Sequence, residues 1–395
     1  LRSLARGPAA RTPSARRHPA CLAGLAFLGF VGIIDPVRPE VPASVARCRS
    51  AGIGVVMITG DHPATALAIA RELDIASDPD TVATGSDLAA LAGNPAALDA
   101  AVRQARVFAR VEPAQKLDIV EALQRIGHIV AVTGDGVNDA PALFAADIGV
   151  AMGRGGTEVA RDAADLILAD DNFASIVNGI EEGRIAYDNI RRVIWLLITT
   201  GFAEIVLFVF AIALQAPIPL LAVQLLWLNL VTNGIQHVAL AFERGEPDTL
   251  TRPPRPPRQP LFDRRMAVAI LTTGTFMGGM AFVFYDWCLS TGMAEAEARN
   301  LLLLLMVIFE NMQALNARSE RRSVLQVPLA ANPFLILSIL GAHALHLGVM
   351  YVPGLDTLLG VQPIALLDWL MVLGVGLSLI VAVEISKRPV GACRD

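Results

Sequence analysis

The residues best suited to chemistry lie in TGDGVNDAPAL, from Thr133 to Leu143, directly after the apolar run from His128 to Val132. Asp135 and Asp139 stand four apart around Gly136 and can present carboxylates to one hard cation, while Asn138 offers an amide to a phosphate oxygen. Turns rich in Gly, Asn and Asp are common between elements, but eleven residues in this order are far more specific than a lone glycine pattern. A second segment, MITGDHPAT, delivers Thr59, Gly60 and Asp61 at the end of an apolar run. Pro63 then opens a helix, so that backbone N–H groups and a hydroxyl face an anion. In a third, FARVEPAQK, Pro113 starts a helix and places Lys116 on its first turn, where a flexible ammonium can reach a phosphate at neighbouring strand ends. Lys116 and Lys387 are the only lysines in an arginine-rich chain, and Lys116 alone lies in the polar half. Taken singly it would read as a solvated charge; beside the two strand-end motifs it reads as a ligand.

A second set of polar residues sits inside apolar stretches. Glu204 lies mid-span in TTGFAEIVLF and Glu310 in VIFENMQALN, where an ionisable group is costly and usually functional. Asn229, Thr232 and Asn233 in QLLWLNLVTNG fall at i, i+3 and i+4, on one face of an ideal helix. Oxygen ligands from three helices suit a hard cation. Helix-to-helix hydrogen bonding is the plainer reading for the asparagines, though not for two buried glutamates. His237, His343 and His346 could add nitrogen ligands, but a histidine in such places is more often interfacial or packed.

Elements must hold these residues in place. From Leu25 to about Asp171, apolar β-rich runs alternate with amphipathic stretches, the pattern of a parallel sheet covered by helices. Strands are expected at Phe27 to Ile34, Gly54 to Ile58, Val107 to Ala109, Ile129 to Val132, Ile148 to Met152 and Leu166 to Ala169, with a helix from Ala64 to Leu73. In such sheets polar chemistry collects where strands end. Beyond Arg192 the chain is apolar. With 54% hydrophobic residues and a mean hydropathy of +0.53, it is too apolar for a soluble protein of 395 residues. Six spans are expected, at 193–214, 218–242, 266–289, 301–315, 334–352 and 364–385; the fourth is short. Arg191, Arg192, the arginines between Arg244 and Arg265, Arg318, Arg321, Arg322, Lys387 and Arg388 fall on one side of these spans. Asp286, Glu295, Glu297 and Asp356 fall on the other, with Arg299 as the only base. The positive side faces the cytoplasm, which places the polar domain and both termini there. A formal net charge of −5 and the lack of a basic stripe with interleaved aromatics argue against nucleic acid. Four isolated cysteines suggest neither disulfides nor a thiolate metal site.

The three polar motifs together resemble the phosphorylation domain of the P-type ATPases. That resemblance implies an α/β haloacid-dehalogenase-like (Rossmann-like) cytoplasmic domain, here partial, followed by an all-α six-helix transmembrane domain. It further implies ATP and Mg2+ as cofactors, with Asp135 on the metal and Asn138 and Asp139 ordering phosphate and metal. Thr59, Gly60 and Lys116 would hold the phosphoryl group, while Asp61 and Arg110 would line the nucleotide side. Such a set clamps a transferring phosphoryl group electrostatically. The span set resembles the fifth to tenth membrane helices of calcium-pump-like members, with LLWLNLVTNG and the glutamate of FENMQALN as the strongest matches. Glu204, Asn229, Thr232, Asn233 and Glu310 would hold the transported cation, Ca2+ or another divalent or monovalent ion, in a plasma-membrane bilayer. Gly201 stands where calcium pumps place Asn, and Asn233 where they place Asp. Fewer carboxylates favour one ion per cycle and put calcium specificity in question. No Cys-Pro-Cys sequence of the heavy-metal pumps occurs.

The family's nucleophile lies in DKTGT, which is absent, as is the TGE loop. Asp35, in GIIDPVRPEV, is followed by Pro36 and lacks the Lys-Thr-Gly that a nucleophile requires. The expected organisation is an Arg/Pro-rich leader (1–23), disordered or artefactual, then the partial phosphorylation domain (24–171) and a stalk helix (172–192) passing motion to Glu204. Six spans (193–388) and a tail (389–395) complete it. Two further readings are a non-catalytic half-pump that binds the missing N-terminal half or a full pump, and a membrane-tethered phosphatase. The phosphatase also needs the absent aspartate and ranks last.

Overall fold

A computed structural model describes residues 36–256 and 258–387. The expected leader, the strand from Phe27 to Ile34, Asp35, Arg388 and the tail lie outside the described residues.

The polar half begins with α1 (Val41–Ser50), β1 (Met57–Thr59), α2 (Pro63–Glu72), β2 (Val82–Thr84), α3 (Gly85–Ala90) and α4 (Pro95–Gln104). It continues through β3 (Val107–Ala109), α5 (Pro113–Arg125), β4 (Ala131–Gly134), α6 (Ala140–Ala145), β5 (Ile148–Met152), α7 (Glu158–Asp162) and β6 (Leu166–Leu168). The strands form two parallel three-stranded sheets, in the orders β1-β3-β2 and β4-β5-β6. Each helix bearing a motif starts where its sequence says it should. Proline occupies the first turn of α2, α4 and α5, and the His62 and Asn94 side chains accept the N–H groups of Ala64 and Ala97. Central β3 is wholly buried. Strand β2 has no signal of its own: three residues cannot show an alternation, and Val82–Thr84 is a strand because β3 offers it a ladder. Two other strands run later than expected, so that Thr59, Thr133 and Gly134 lie within strands. Among the described residues β4 pairs only with β5. Ile148, Leu166 and Ile167 on this second sheet are exposed, as is Ile129 just before β4.

The apolar half opens with α8 (Phe173–Ala213), a single helix of 41 residues, about 60 Å long. It contains both the expected stalk and the first expected span, uninterrupted by Gly179 and Gly183. Then come α9 (Ala222–Trp227), α10 (Asn233–Leu240), α11 (Arg264–Ser290), α12 (Glu295–Asn316), α13 (Pro333–Val349), α14 (Leu355–Leu359) and α15 (Leu366–Lys387). Helices α8, α11, α12 and α15 are long and apolar enough to cross a membrane, and α13 is a shorter apolar helix. The second expected span is helical from Ala222 to Leu240 but not α-helical throughout: α9 and α10 are joined without a gap by a π turn at Leu228–Thr232, an i→i+5 insertion of the kind that frequently marks functional sites.

Helix α12 is the axis of the bundle. Its run from Leu302 to Phe309 is at most 1% exposed, whereas Ile205, Val283, Leu340 and Val381 on the surrounding helices are more than half exposed. A ring of exposed aliphatic side chains around a closed core is the surface a lipid solvent requires. Small residues let the helices approach. A Cβ on Gly278 of α11 would stand 2.3 Å from the Ala203 carbonyl oxygen of α8, and one on Gly376 of α15 would stand 2.2 Å from Ile308 Cγ2 of α12. Charged side chains tie the helix ends on one side: Arg191 pairs with Asp263 and Glu320, Arg192 with Glu246, and Arg318 with Glu243.

Candidate phosphate and cation sites

The strand-end residues form two clusters. At the first sheet, the Thr59 hydroxyl donates to Asp61 Oδ2 at 3.0 Å and accepts the Asp61 N–H at 3.1 Å, which curls the turn after β1. Arg110, at φ +56°, ends β3 and donates its backbone N–H to the Asp61 carbonyl at 3.2 Å. Thr59, Gly60, Asp61 and Arg110 therefore share one sheet end. The close approach there depends on Gly85, where a Cβ would lie 2.3 Å from the Arg110 carbonyl oxygen.

At the second sheet, Asp139 organises the loop after β4. Its Oδ1 accepts from Lys116 Nζ at 2.5 Å, and its Oδ2 accepts the N–H groups of Gly136 at 3.1 Å and Asp135 at 3.2 Å. Gly134 permits this, since a Cβ there would meet Asp139 Cβ at 2.5 Å. Both oxygens of Asp139 are thus engaged by the protein. Asp135 and Asp139, expected to offer carboxylates to one cation, therefore differ in their surroundings. Asp139 is the residue that seats Lys116 and shapes the turn, while the exposed Asp135 side chain has no hydrogen bond or ion pair among the described residues. No group of three or more His, Cys, Asp or Glu able to hold a metal occurs among the described residues. The arrangement still fits Mg2+, which is commonly held by one or two carboxylates together with water and substrate phosphates. No hydrogen bond or ion pair joins the two clusters among the described residues. What links them is the chain itself, from Arg110 at the end of β3 to Lys116 on α5.

Burial opposes ionisation of Asp139, but the Lys116 ammonium and the two backbone N–H groups outweigh it and hold the carboxyl below its ordinary range. A carboxyl depressed in the folded state adds stability at pH values above its unfolded pKa and loses it as pH falls through the folded value. Asp139→Asn should therefore lower stability at neutral pH by about 1–3 kcal/mol. Relative to the unchanged protein, that difference should shrink progressively below about pH 4. Denaturant titrations at pH 7 and pH 3.5 check this, and an equal deficit at both would show that the charge of Asp139 plays no part.

In the bundle, the polar residues of the π-turn segment reach two helices. Asn229 donates to both oxygens of Glu204 on α8, at 2.9 and 3.1 Å. Thr232, fully buried, donates to Glu310 Oε2 on α12 at 2.6 Å. Asn233, equally buried, donates to the Thr200 hydroxyl at 2.8 Å. Asn229 and Asn233 both reach α8, in keeping with their i, i+4 spacing, while Thr232 reaches α12. Glu310 Oε1 and Asn233 Oδ1 are buried without hydrogen-bond partners among the described residues, orphaned acceptors of the kind a cation would satisfy. Sequence reasoning passed over Thr200, one turn before Glu204, and Gln236, one turn after Thr232, which donates to Asn311 at 2.6 Å. Both were legible as polar residues at helical spacing from residues already singled out. Two of the three histidines are hydrogen-bonded to tryptophans: Trp227 donates its indole N–H to His346 at 3.2 Å and Trp369 donates to His343 at 3.0 Å, whereas His237 Nε2 is buried with no hydrogen-bond partner among the described residues.

Sequence comparison relates both halves of the chain to known families. Residues 8–147 match the haloacid dehalogenase-like hydrolase family and residues 217–388 the C-terminus of cation transporting ATPases. The chain is 40% identical, over 97% of its own length, to the probable cation-transporting ATPase F of Mycobacterium tuberculosis. It is 42% identical over 88% of its length to the cation-transporting ATPase pma1 of Synechocystis, and 41% identical over 89% to a calcium-transporting ATPase of Bacillus subtilis. The chain belongs to the P-type cation-transporting ATPases. It spans 43%, 38% and 39% of the length of those three relatives, respectively. The small parallel sheets are the haloacid-dehalogenase-like part, and the apolar helices make it a multi-pass membrane protein. P-type ATPases in general use ATP and Mg2+.

Proposed function

We propose that this chain supplies the phosphate-handling end and the intramembrane ion site of a pump that moves a cation at the expense of ATP. The observation that carries the reading is the pair of carboxylates in the helical bundle. Each is held by one side chain of the π-turn segment, Glu204 by Asn229 and Glu310 by Thr232, and α8 leads from Glu204 without a break to the polar domain. Asp135 would hold Mg2+, which supplies charge neutralisation for a transferring phosphoryl group. Lys116, seated by Asp139, and the Thr59–Gly60 turn would bind the phosphoryl oxygens, with Asn138 beside them and Asp61 and Arg110 toward the nucleotide. Asn233 would join the two glutamates, Asn229 and Thr232 as cation ligands. The arginine-rich helix ends would face the cytoplasm, with 24–171 as the phosphorylation domain, 172–192 as the stalk and six spans over 193–388 in the plasma membrane.

A second reading is a non-catalytic half-pump that associates with a complete one. One experiment separates them. Source membranes are incubated with labelled ATP and the candidate cation, and the protein is recovered with an antibody against residues 248–260. A cation-dependent, acid-stable phosphoprotein of roughly twice 41.9 kDa, as the relatives' length implies, supports the pump. Recovery of an unlabelled 41.9 kDa band alone removes ATP-driven transport by this chain and leaves the half-pump.

A further inference from the structure

Between α8 and the segment running from Glu246 to Asp263 lies a cavity of about 620 Å³, within the roughly 300–1,000 Å³ range of small-molecule sites. Seven arginines line it against four carboxylates, those of Asp188, Glu246, Asp263 and Glu320. Three of the arginines account for all four acids: Arg191 with Asp263 and Glu320, Arg192 with Glu246, and Arg252 with Asp188 and Glu246. The other four make no direct ion pair with a carboxylate among the described residues, so the arginines outnumber the lining acids by three. Arg184 spends its donors on the carbonyls of Ala51, Thr249 and Arg252. Arg255 lies over the Tyr187 ring, 4.0 Å from its centre, and bonds the Tyr187 hydroxyl and the Gln259 carbonyl. Arg265 reaches a backbone carbonyl, that of Glu320. The Arg321 side chain makes no hydrogen bond or ion pair among the described residues.

We infer that this cavity binds a phosphate-bearing anion. Uncompensated guanidinium groups converging on a concave wall repel one another and focus a positive potential into it. Their planar donor forks match the oxygens of a phosphate group bidentately. Arg252 and Arg255 are carried by the RPPRP segment, whose prolines fix the backbone, so little conformational entropy is lost on binding. The two sources of such a group are the headgroup of an acidic phospholipid at this end of the bundle and a soluble polyphosphate. The inference is independent of the transport reading, since neither the Asp135 loop nor Glu310 takes part.

The test uses the full chain in a phosphate-free non-ionic detergent at constant ionic strength, with thermal unfolding followed on addition of phosphatidylglycerol or of inorganic pyrophosphate. One or both should raise the unfolding temperature in a saturable way. The double variant Arg255→Gln/Arg321→Gln should weaken the apparent affinity at least tenfold, while Arg258→Gln, an exposed arginine outside the cavity, should leave it unchanged. A response to phosphatidylglycerol alone identifies a lipid site, and one to pyrophosphate alone a soluble ligand. If the double variant does not fold, Arg321→Gln alone carries the test, because that side chain holds nothing in place. No stabilisation by either probe, or an equal loss in Arg258→Gln, overturns the inference.

Discussion

Replacing Arg318 by Met should cost about 3–5 kcal/mol of stability, more than any other single change at the helix ends. The guanidinium is 1% exposed and the carboxylate of its partner Glu243 3%. The pair is bidentate, with Nε and Nη2 donating to the two oxygens of Glu243 at 3.0 and 2.8 Å. Arg318 also donates to the carbonyls of Val327 at 3.3 Å and Pro328 at 2.9 Å, which pins the chain between α12 and α13. Asn332 completes the cluster by donating to Glu243 and to the Ala239 carbonyl at the end of α10. Without Arg318 the buried Glu243 charge keeps only the Asn332 amide. A buried pair need not itself be strongly stabilising, because desolvation offsets much of the attraction; the loss comes from the charge left behind. Removing that charge as well should therefore restore much of the stability. Equilibrium unfolding in mixed micelles checks this: Arg318→Met/Glu243→Leu should be more stable than Arg318→Met. A double variant as unstable as the single one would show that the guanidinium acts through the Val327 and Pro328 carbonyls instead.

How far such features were legible in the sequence depends on their range. The helices carrying the motifs were legible because their starts are local: Pro63 and Pro113 announce α2 and α5 without reference to anything distant. The strand ends bearing Thr59 and Asp135 were legible for the same reason, an apolar run meeting a polar turn. Strand β2 was not, since its three residues depend on a neighbour in space. Nor was the division of labour between Asp135 and Asp139. Their spacing permits both to face one cation, and only the position of Lys116 on α5, 23 residues away in sequence, decides that Asp139 turns inward. The second span shows the same limit. Its residues pass for an ordinary helix, and the π turn that separates Asn229 from Thr232 answers to partners on α8 and α12 that no local pattern records.

Glu310→Gln should abolish cation binding while leaving the bundle intact. Glu310 is fully buried on the central helix; among the described residues its side chain takes one hydrogen bond, from Thr232 at Oε2, and Oε1 has no partner. An ionised carboxylate in that position costs several kcal/mol unless a cation lies against it, which couples the charge of Glu310 to occupancy of the site. Glutamine keeps the shape and still accepts from Thr232, so the uncharged variant should match or exceed the native stability without ligand. It cannot offset a cation's lost hydration, and affinity should fall at least about 100-fold, or about 2.7 kcal/mol. The readout on this chain is the rise in unfolding temperature as Ca2+ or Mn2+ is added in detergent, since a ligand stabilises the state it binds in proportion to the logarithm of its saturation. The native chain should show a saturable rise that Glu310→Gln lacks. Asn229→Ala should retain a weakened one, because it removes the partner of Glu204 and leaves Glu310 and Thr232 in place. An undiminished rise in Glu310→Gln would mean that the cation binds elsewhere and that the buried glutamate serves the packing of α12 against the π turn.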